Sequence, residues 1–333
     1  MLQQTQVKTV IPFFERWIRE LPTVESLAGA SSEKIHKLWE GLGYYTRVRN
    51  MQKAAQVILE KHDGKFPREF DAVLALPGIG RYTAGAICSI AFNQPAPILD
   101  GNVIRVFARV LGVRKNVRDK EVNAKLWAAA ESLVREAVDS KSQISNFKSM
   151  AGPCSALNQS LMELGALVCT PRQPNCAACP LARHCAARLA GLVEELPNLG
   201  QRVNATARRF TTCVIERNGA VLVRQRPAGV VNGHLWEFPN VEVALKTSAA
   251  AARKRLEAEL GCAFESLAPL ATVKHTITRY RITLEAFRGQ LNESNADPKA
   301  GQWIPKGELD RLPFSSAHRR VLIAAQQNEL GTP

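Results

Sequence analysis

Apolar residues at Leu2, Val7, Val10, Ile11, Phe14, Trp17 and Ile18 recur at helical spacing, predicting an amphipathic helix within residues 1–21 that begins almost at the first residue. No capping residue precedes it, and a chain that opens inside a helix reads as truncated at its start. Ser31-Ser32-Glu33-Lys34 offers a capping signal for a second helix through Trp39. The apolar run at 70–75 leads into Leu76-Pro77-Gly78-Ile79-Gly80-Arg81-Tyr82-Thr83-Ala84-Gly85, read as a helix end, a P-G-x-G turn and a further helix. Residues 121–140 and 157–168 are also helical, and the polar, irregular stretch 141–154 between them reads as a surface loop. Nothing before residue 169 reads as a strand.

Beyond residue 207 the pattern changes. Residues 210–216 and 220–226 are β-branched and roughly alternating, with Asn218-Gly219 between them as a strong hairpin turn. Residues 246–260 form a helix and 280–287 another strand. The expected fold class is therefore two domains, all-α over 1–186 and α+β over 208–333, joined by a linker at 187–207 that carries Pro197, Gly200 and Arg202. A chain of 333 residues is long enough to bury two cores. No run approaches the length of a membrane span, and no signal peptide is evident, so a reducing cytoplasm is expected.

A net charge of +14 points to a polyanionic partner. Aromatics make up only 6%, which favours a surface gripping a duplex backbone over a stacking platform for single strands. Charge alone does not separate specific from nonspecific binding.

Four of the eight cysteines, Cys169, Cys176, Cys179 and Cys185, fall in a C-x6-C-x2-C-x5-C loop. Such spacing can bring four sulfurs to one metal centre. An iron–sulfur cluster is the first reading and zinc the second, since no matching C-x2-C completes a ribbon; disulfides are disfavoured by compartment. Cys88, Cys154, Cys213 and Cys262 sit in apolar surroundings and read as small core residues.

Three further stretches have chemical readings. Gly78 and Gly80 in the helical hairpin let backbone N–H groups approach a phosphate, although such a turn can also be a plain connection. Asp100-Gly101-Asn102 precedes a helix-like run; the acid is either a simple N-cap or a group that stabilises positive charge on a sugar. Gly41-Leu42-Gly43-Tyr44-Tyr45 presents two tyrosines, which either pack in the core or lie against bases, followed by basic Arg47 and Arg49.

The hairpin, the Leu99-Asp100-Gly101-Asn102 segment and the cysteine loop, in that order, resemble the helix-hairpin-helix iron–sulfur glycosylases of base excision repair. Met1-Leu2-Gln3-Gln4-Thr5-Gln6-Val7, Gly41 to Tyr45, Leu157-Asn158-Gln159, Leu164-Gly165-Ala166 and Trp236-Glu237-Phe238-Pro239 extend the resemblance to MutY-type adenine DNA glycosylases over essentially the whole chain. The resemblance implies that Cys169, Cys176, Cys179 and Cys185 hold a [4Fe–4S] cluster whose loop, with Arg172, supports DNA contact. It implies that Gly78 and Gly80 grip the phosphate backbone, and that Leu2, Gln3, Gln4 and Tyr44 belong to the segment that wedges into the duplex as adenine flips out. Asp100 becomes the catalytic acid, with Asn102 and Tyr82 beside it and Gln159 as an adenine contact. Relatives with strand-cleaving activity carry a lysine at the position of Tyr82; a phenol cannot form their Schiff base, so base hydrolysis alone is implied.

The second domain resembles the Nudix-like domain that reads 8-oxoguanine, with His275 and Thr278 as reading residues. Hydrolase activity of its own is not implied, because Arg255 and Ala258 stand where the Nudix box needs metal-binding glutamates. The implied partner is double-stranded DNA containing adenine opposite 8-oxoguanine or guanine, bound by a monomer associated with the cytoplasmic nucleoid. Two departures qualify this. The family's catalytic glutamate lies two residues upstream of Met-Leu-Gln-Gln, beyond Met1, so a misplaced start or an impaired glycosylase is expected. Ile277-Thr278-Arg279 replaces the common Phe-Ser-His. A G·T thymine glycosylase and a lesion-binding protein without turnover are the alternatives.

Overall fold

Leu2 and Val7 are five residues apart, off the three-to-four step of a helix, and the N-terminal helix starts only at the second of them. In the computed structural model, which describes residues 1–3, 5–139, 152–201, 204–277, 279–292, 298 and 301–330, α1 spans Val7–Glu20. Gln6, in extended backbone, stands at its N-cap. The helix buries Val10 and Trp17 and leaves Val7, Ile11, Phe14 and Ile18 exposed. A reciprocal Thr23–Ser26 capping box opens α2 (Val24–Ala28). The Ser31 side chain accepts from Lys34 N to start α3 (Ser32–Trp39), as its sequence predicts. Trp39 packs edge-on against Trp17, ring centroids 5.6 Å apart. Next comes α4 (Thr46–Lys61).

The chain divides into two compact units, Met1–Gln56 with Val203–Pro333, and Val57–Arg202. This differs from the expected division at 186 and 208, because the first helices are fastened to the C-terminal half. Glu40, just past α3, accepts from Arg319 Nε at 2.7 Å, Arg319 Nη2 at 3.1 Å and Phe314 N at 3.1 Å. Lys37 Nζ donates to Leu312 O at 3.2 Å, and Arg49 Nη1 to Gly233 O at 3.1 Å. Leu235 completes the apolar core that α1 and α3 share. None of these contacts has a local sequence signal.

The second unit is helical. α5 (Phe70–Leu74) and α6 (Arg81–Phe92) form the predicted hairpin; Gly78 has φ +79° and Gly80 is the N-cap of α6. Then follow α7 (Gly101–Val110), α8 (Lys120–Asp139) and α9 (Pro153–Glu163), which continues into a single π-helical turn at Leu164–Val168. Most of the loop expected at 141–154 lies outside the described residues. Its end is helix instead: Gly152 caps α9, Pro153 fills the first-turn position that tolerates a missing N–H, and Cys154 is buried. The expected linker begins with α10 (Ala186–Leu189), and its Ala187 and Leu196 are buried with Cys185. Its start is a packed strap, whereas residues 198–201 and 204–207 are exposed.

The C-terminal part is α+β. β1 (Thr206–Arg217) and β2 (Ala220–Gln225) pair antiparallel across Asn218 (φ +51°) and Gly219 (φ +74°), the predicted hairpin. β3 (Trp236–Glu237), β4 (Asn240–Val243), α11 (Ala249–Leu260), β5 (Phe264–Ile277), β6 (Tyr280–Leu291), β7 (Gln302–Pro305) and α12 (Ser316–Leu330) complete it. The strand order is β3-β2-β1-β6-β5, with β1 and β6 parallel, β4 on β1 and β7 on β2. β5 lacks a clear sequence signature because two register irregularities break its alternation.

Glu237, on β3, is buried; Arg224 Nε donates to it at 2.9 Å and Arg226 donates to its other oxygen. His318 Nε2 lies 3.8 Å from the same carboxylate. Burial pulls the His318 pKa down to about 4 against the attraction of Glu237, so at neutral pH the two arginines balance the carboxylate. The unfolded imidazole takes a proton near pH 6.5, whereas the folded one resists until about pH 4. Stability is therefore present above pH 6.5 and is lost as pH falls through that window, by roughly 3 kcal/mol. Denaturant titrations between pH 7 and 4 should show this slope, and His318→Asn should flatten it.

Candidate catalytic site and cysteine centre

Two of the expected catalytic residues lie at the start of α7. Asp100 is its N-cap: Oδ1 accepts from Val103 N at 2.8 Å and Oδ2 from Asn102 Nδ2 at 3.2 Å. The capping reading and the chemical one are compatible, since each oxygen keeps acceptor capacity beyond its single donor. Tyr82, on the first turn of α6, donates its hydroxyl to Met162 Sδ at 3.3 Å. Burial, and then the negative charge of Asp100, push the phenol above its ordinary range. Asp100, Asn102 and Tyr82 thus share one neighbourhood, and Tyr82 is a neutral phenol at physiological pH.

Two arginines on the buried side of α7 tie this neighbourhood to the cysteine loop. Arg105 Nη2 donates to Asn102 Oδ1 at 2.8 Å and to Gly165 O at 2.6 Å, while its Nε donates to Cys169 O at 2.7 Å. A Cβ on Gly165 would meet Asn102 Cβ at 2.7 Å, so only glycine lets the π turn come this close. One turn on, Arg109 donates from Nε to Leu196 O at 2.8 Å, and from Nη1 to Thr170 O at 2.8 Å and to Cys169 Sγ at 3.3 Å. Both side chains are buried.

Cys169, Cys176, Cys179 and Cys185 line one cavity, walled also by Val106, Arg109, Leu164 and Val168. Burial and then the three neighbouring sulfurs raise the Cys176 thiol. No group of three or more His, Cys, Asp or Glu among the described residues is arranged to hold a single metal ion.

The remaining expected residues lie on several elements. Gly78 and Gly80 are exposed in the α5–α6 turn. Gln159 is exposed on α9, and its amide donates back to Ser155 Oγ at 2.9 Å. Arg172 is exposed in the cysteine loop, where its carbonyl accepts from Thr170 Oγ1 at 3.0 Å. Leu2, Gln3 and Tyr44 are exposed in the other unit, whereas Tyr45 is buried, with its hydroxyl accepting from Gly41 N at 3.3 Å. His275, on β5, is half-buried; its Nδ1 is enclosed without a hydrogen-bond partner among the described residues, and burial lowers its pKa. Gln4 and Thr278 lie outside the described residues.

Sequence reasoning missed Arg105 and Arg109. The available signal was two arginines four apart in the otherwise apolar run Val103 to Val110. Arg105→Gln removes a charged donor from buried carbonyls and should lower unfolding free energy by about 2–4 kcal/mol. Limited proteolysis should also cut the 169–185 loop faster in that variant than in the wild type.

Residues 1–132 match the model of the HhH-GPD superfamily of base excision DNA repair proteins, and residues 211–324 that of the NUDIX domain. The adenine DNA glycosylase of Homo sapiens is 34% identical over 387 aligned residues, covering 100% of this chain and 68% of its own length. That of Rattus norvegicus is 34% identical, covering 100% and 71%. Among solved structures, a thermostable thymine-DNA glycosylase is 27% identical over 57% of this chain and 80% of its own, with a TM-score of 0.48. With this level of identity maintained over its full length, and both domain types present, the chain belongs to the adenine DNA glycosylase family.

Proposed function

We propose that this protein is a monofunctional DNA glycosylase that hydrolyses the N-glycosidic bond of adenine mispaired with 8-oxoguanine or guanine in base excision repair. The observation that carries this reading is the pairing of a fixed carboxylate, Asp100, with a half-buried neutral phenol, Tyr82, where a strand-cleaving enzyme needs an amine. As the bond between C1′ and N9 breaks, its electron pair leaves with the base and positive charge grows on the sugar. Asp100 stabilises that charge, oriented by Val103 N and by Asn102, which Arg105 in turn holds. Water adds at C1′, gives up one proton to solvent and leaves an abasic site. Tyr82 cannot open a Schiff-base route. The departing adenine takes up a proton as N9 leaves.

The four thiols suit a [4Fe–4S] cluster: they share one cavity, and a buried guanidinium donates to one sulfur. When bound, the group supplies iron–thiolate bonds that fix the loop bearing Arg172 for duplex contact. The exposed α5–α6 turn offers backbone N–H groups at the start of α6 to a DNA phosphate.

The C-terminal sheet is read as the part that senses the opposite base, through His275 and Thr278. The glutamates left in its degenerate Nudix box are already occupied. Glu259 accepts from Arg224 Nη1 at 2.7 Å, and Glu257 from Arg253 Nε at 3.0 Å and Phe264 N at 3.1 Å. Guanidinium and amide donors thus replace the divalent cation that a hydrolase would require.

The test is single-turnover base release from duplexes carrying adenine opposite 8-oxoguanine, guanine or thymine. It uses this chain beside a form extended upstream through the expected glutamate. Adenine release opposite 8-oxoguanine and guanine, without strand cleavage or a borohydride-trapped adduct, is the expected result. Asp100→Asn should slow release by about 10²–10³-fold with little change in duplex affinity. Tight binding without release by both forms would replace this reading with a lesion-binding role.

A further inference from the structure

Leu2, ahead of α1, and Tyr44, in the turn ahead of α4, present apolar side chains to solvent, yet the backbone beside each is held by hydrogen bonds. Leu2 is 58% exposed and Tyr44 53%. Gly41, Gly43 and Tyr44 all have positive φ, at +101°, +69° and +50°. For an aromatic residue that backbone region is strained, and it persists only where neighbouring groups enforce it.

The enforcing group is Arg47. Its Nη1 donates to Met1 O at 3.0 Å, to Gln3 O, and to Thr5 Oγ1 at 3.2 Å. Its Nη2 donates to Leu42 O and Gly43 O, each at 3.3 Å. The guanidinium lies 5.5 Å from the Trp39 ring centroid and 5.1 Å from that of Tyr44. Trp39 Nε1 adds a hydrogen bond to Gly43 O at 3.0 Å. One planar cation thus gathers two stretches of chain that are about forty residues apart in sequence. All the partners named here are neutral, so the charge is spent on fixing backbone.

A guanidinium needed only for packing would order buried groups. This one orders exposed ones. We propose that Arg47 is a positioning residue that presets residues 1–3 and Tyr44 as one duplex-inserting group; this rests on the glycosylase reading above. Apolar side chains fixed beforehand lose less freedom when they enter a base stack, so the preset form favours extrusion of the target base. Lysine cannot replace this group, because an ammonium has neither the fork to reach five oxygens nor a flat face for two rings.

The experiment follows extrusion directly. A duplex with 2-aminopurine at the target position brightens when that base leaves the stack, and the signal requires no bond cleavage. Arg47→Lys should keep the wild-type circular dichroism spectrum and the salt slope of duplex binding while lowering the extrusion equilibrium about tenfold or more. Tyr44→Ala should do the same. Because Arg47 acts through Tyr44 and residues 1–3, the double variant should lose far less than the product of the two single losses. Arg47→Gln, which keeps a planar two-donor group, serves if the lysine variant does not fold, with the same expectation. Wild-type extrusion by the folded variants, or losses that multiply, would overturn the proposal, as would a wild-type protein that binds duplex without extrusion. Extrusion that depends on Arg47 but is never followed by adenine release would count against the glycosylase reading alone.

Discussion

Two guanidiniums buried on one side of α7 hold the site and the cysteine loop in a single arrangement. Burying a cation without a carboxylate is costly unless enough acceptors surround it. Arg105 and Arg109 meet that demand with carbonyls from the π turn, the loop after Cys169 and the strap at Leu196. The acceptors come from segments that have no sheet or long helix to stabilise them. Each therefore depends on the arginines, and the arginines depend on them. The arrangement links Asp100, through Asn102, to the first cysteine of the loop over a short chain of hydrogen bonds.

The same device recurs at Arg47, where carbonyls, a hydroxyl and two rings order an exposed turn. Elsewhere the first unit uses charge differently. Glu40 and Glu237 are carboxylates enclosed by cations: Glu40 joins the end of α3 to α12, and Glu237 on β3 is held by arginines on and just past β2. Guanidinium groups suit both tasks because their donors lie in one plane and reach several acceptors at once.

Elements with local signals were legible in the sequence. The Ser31 cap, the glycine hairpin before α6 and the Asn218-Gly219 turn each declare themselves within a few residues. The capping reading of Asp100 was legible for a similar reason, whereas Tyr82 was named only through the family resemblance. What stayed hidden was long-range. Nothing near Glu40 signals Arg319, so the grouping of the first 56 residues with the C-terminal half could not be read. β5 hides because its irregular register spoils alternation, and α1 was extended too far because Leu2 is apolar but out of phase. Arginines were counted as surface charge, which concealed the buried pair on α7. Gln159 was placed by motif alone, whereas the fold leaves it exposed with its amide turned back to its own helix.

The central claim is that Asp100 stabilises positive charge on the sugar. The most direct measurement compares binding of two duplexes with a sugar mimic at the adenine position, one a cationic pyrrolidine and the other a neutral tetrahydrofuran. The account predicts that the wild-type protein binds the cationic duplex at least about a hundredfold more tightly, and that Asp100→Asn removes most of that preference while leaving the neutral affinity unchanged. Equal affinity for the two duplexes in the wild type, or a preference that survives Asp100→Asn, would contradict it.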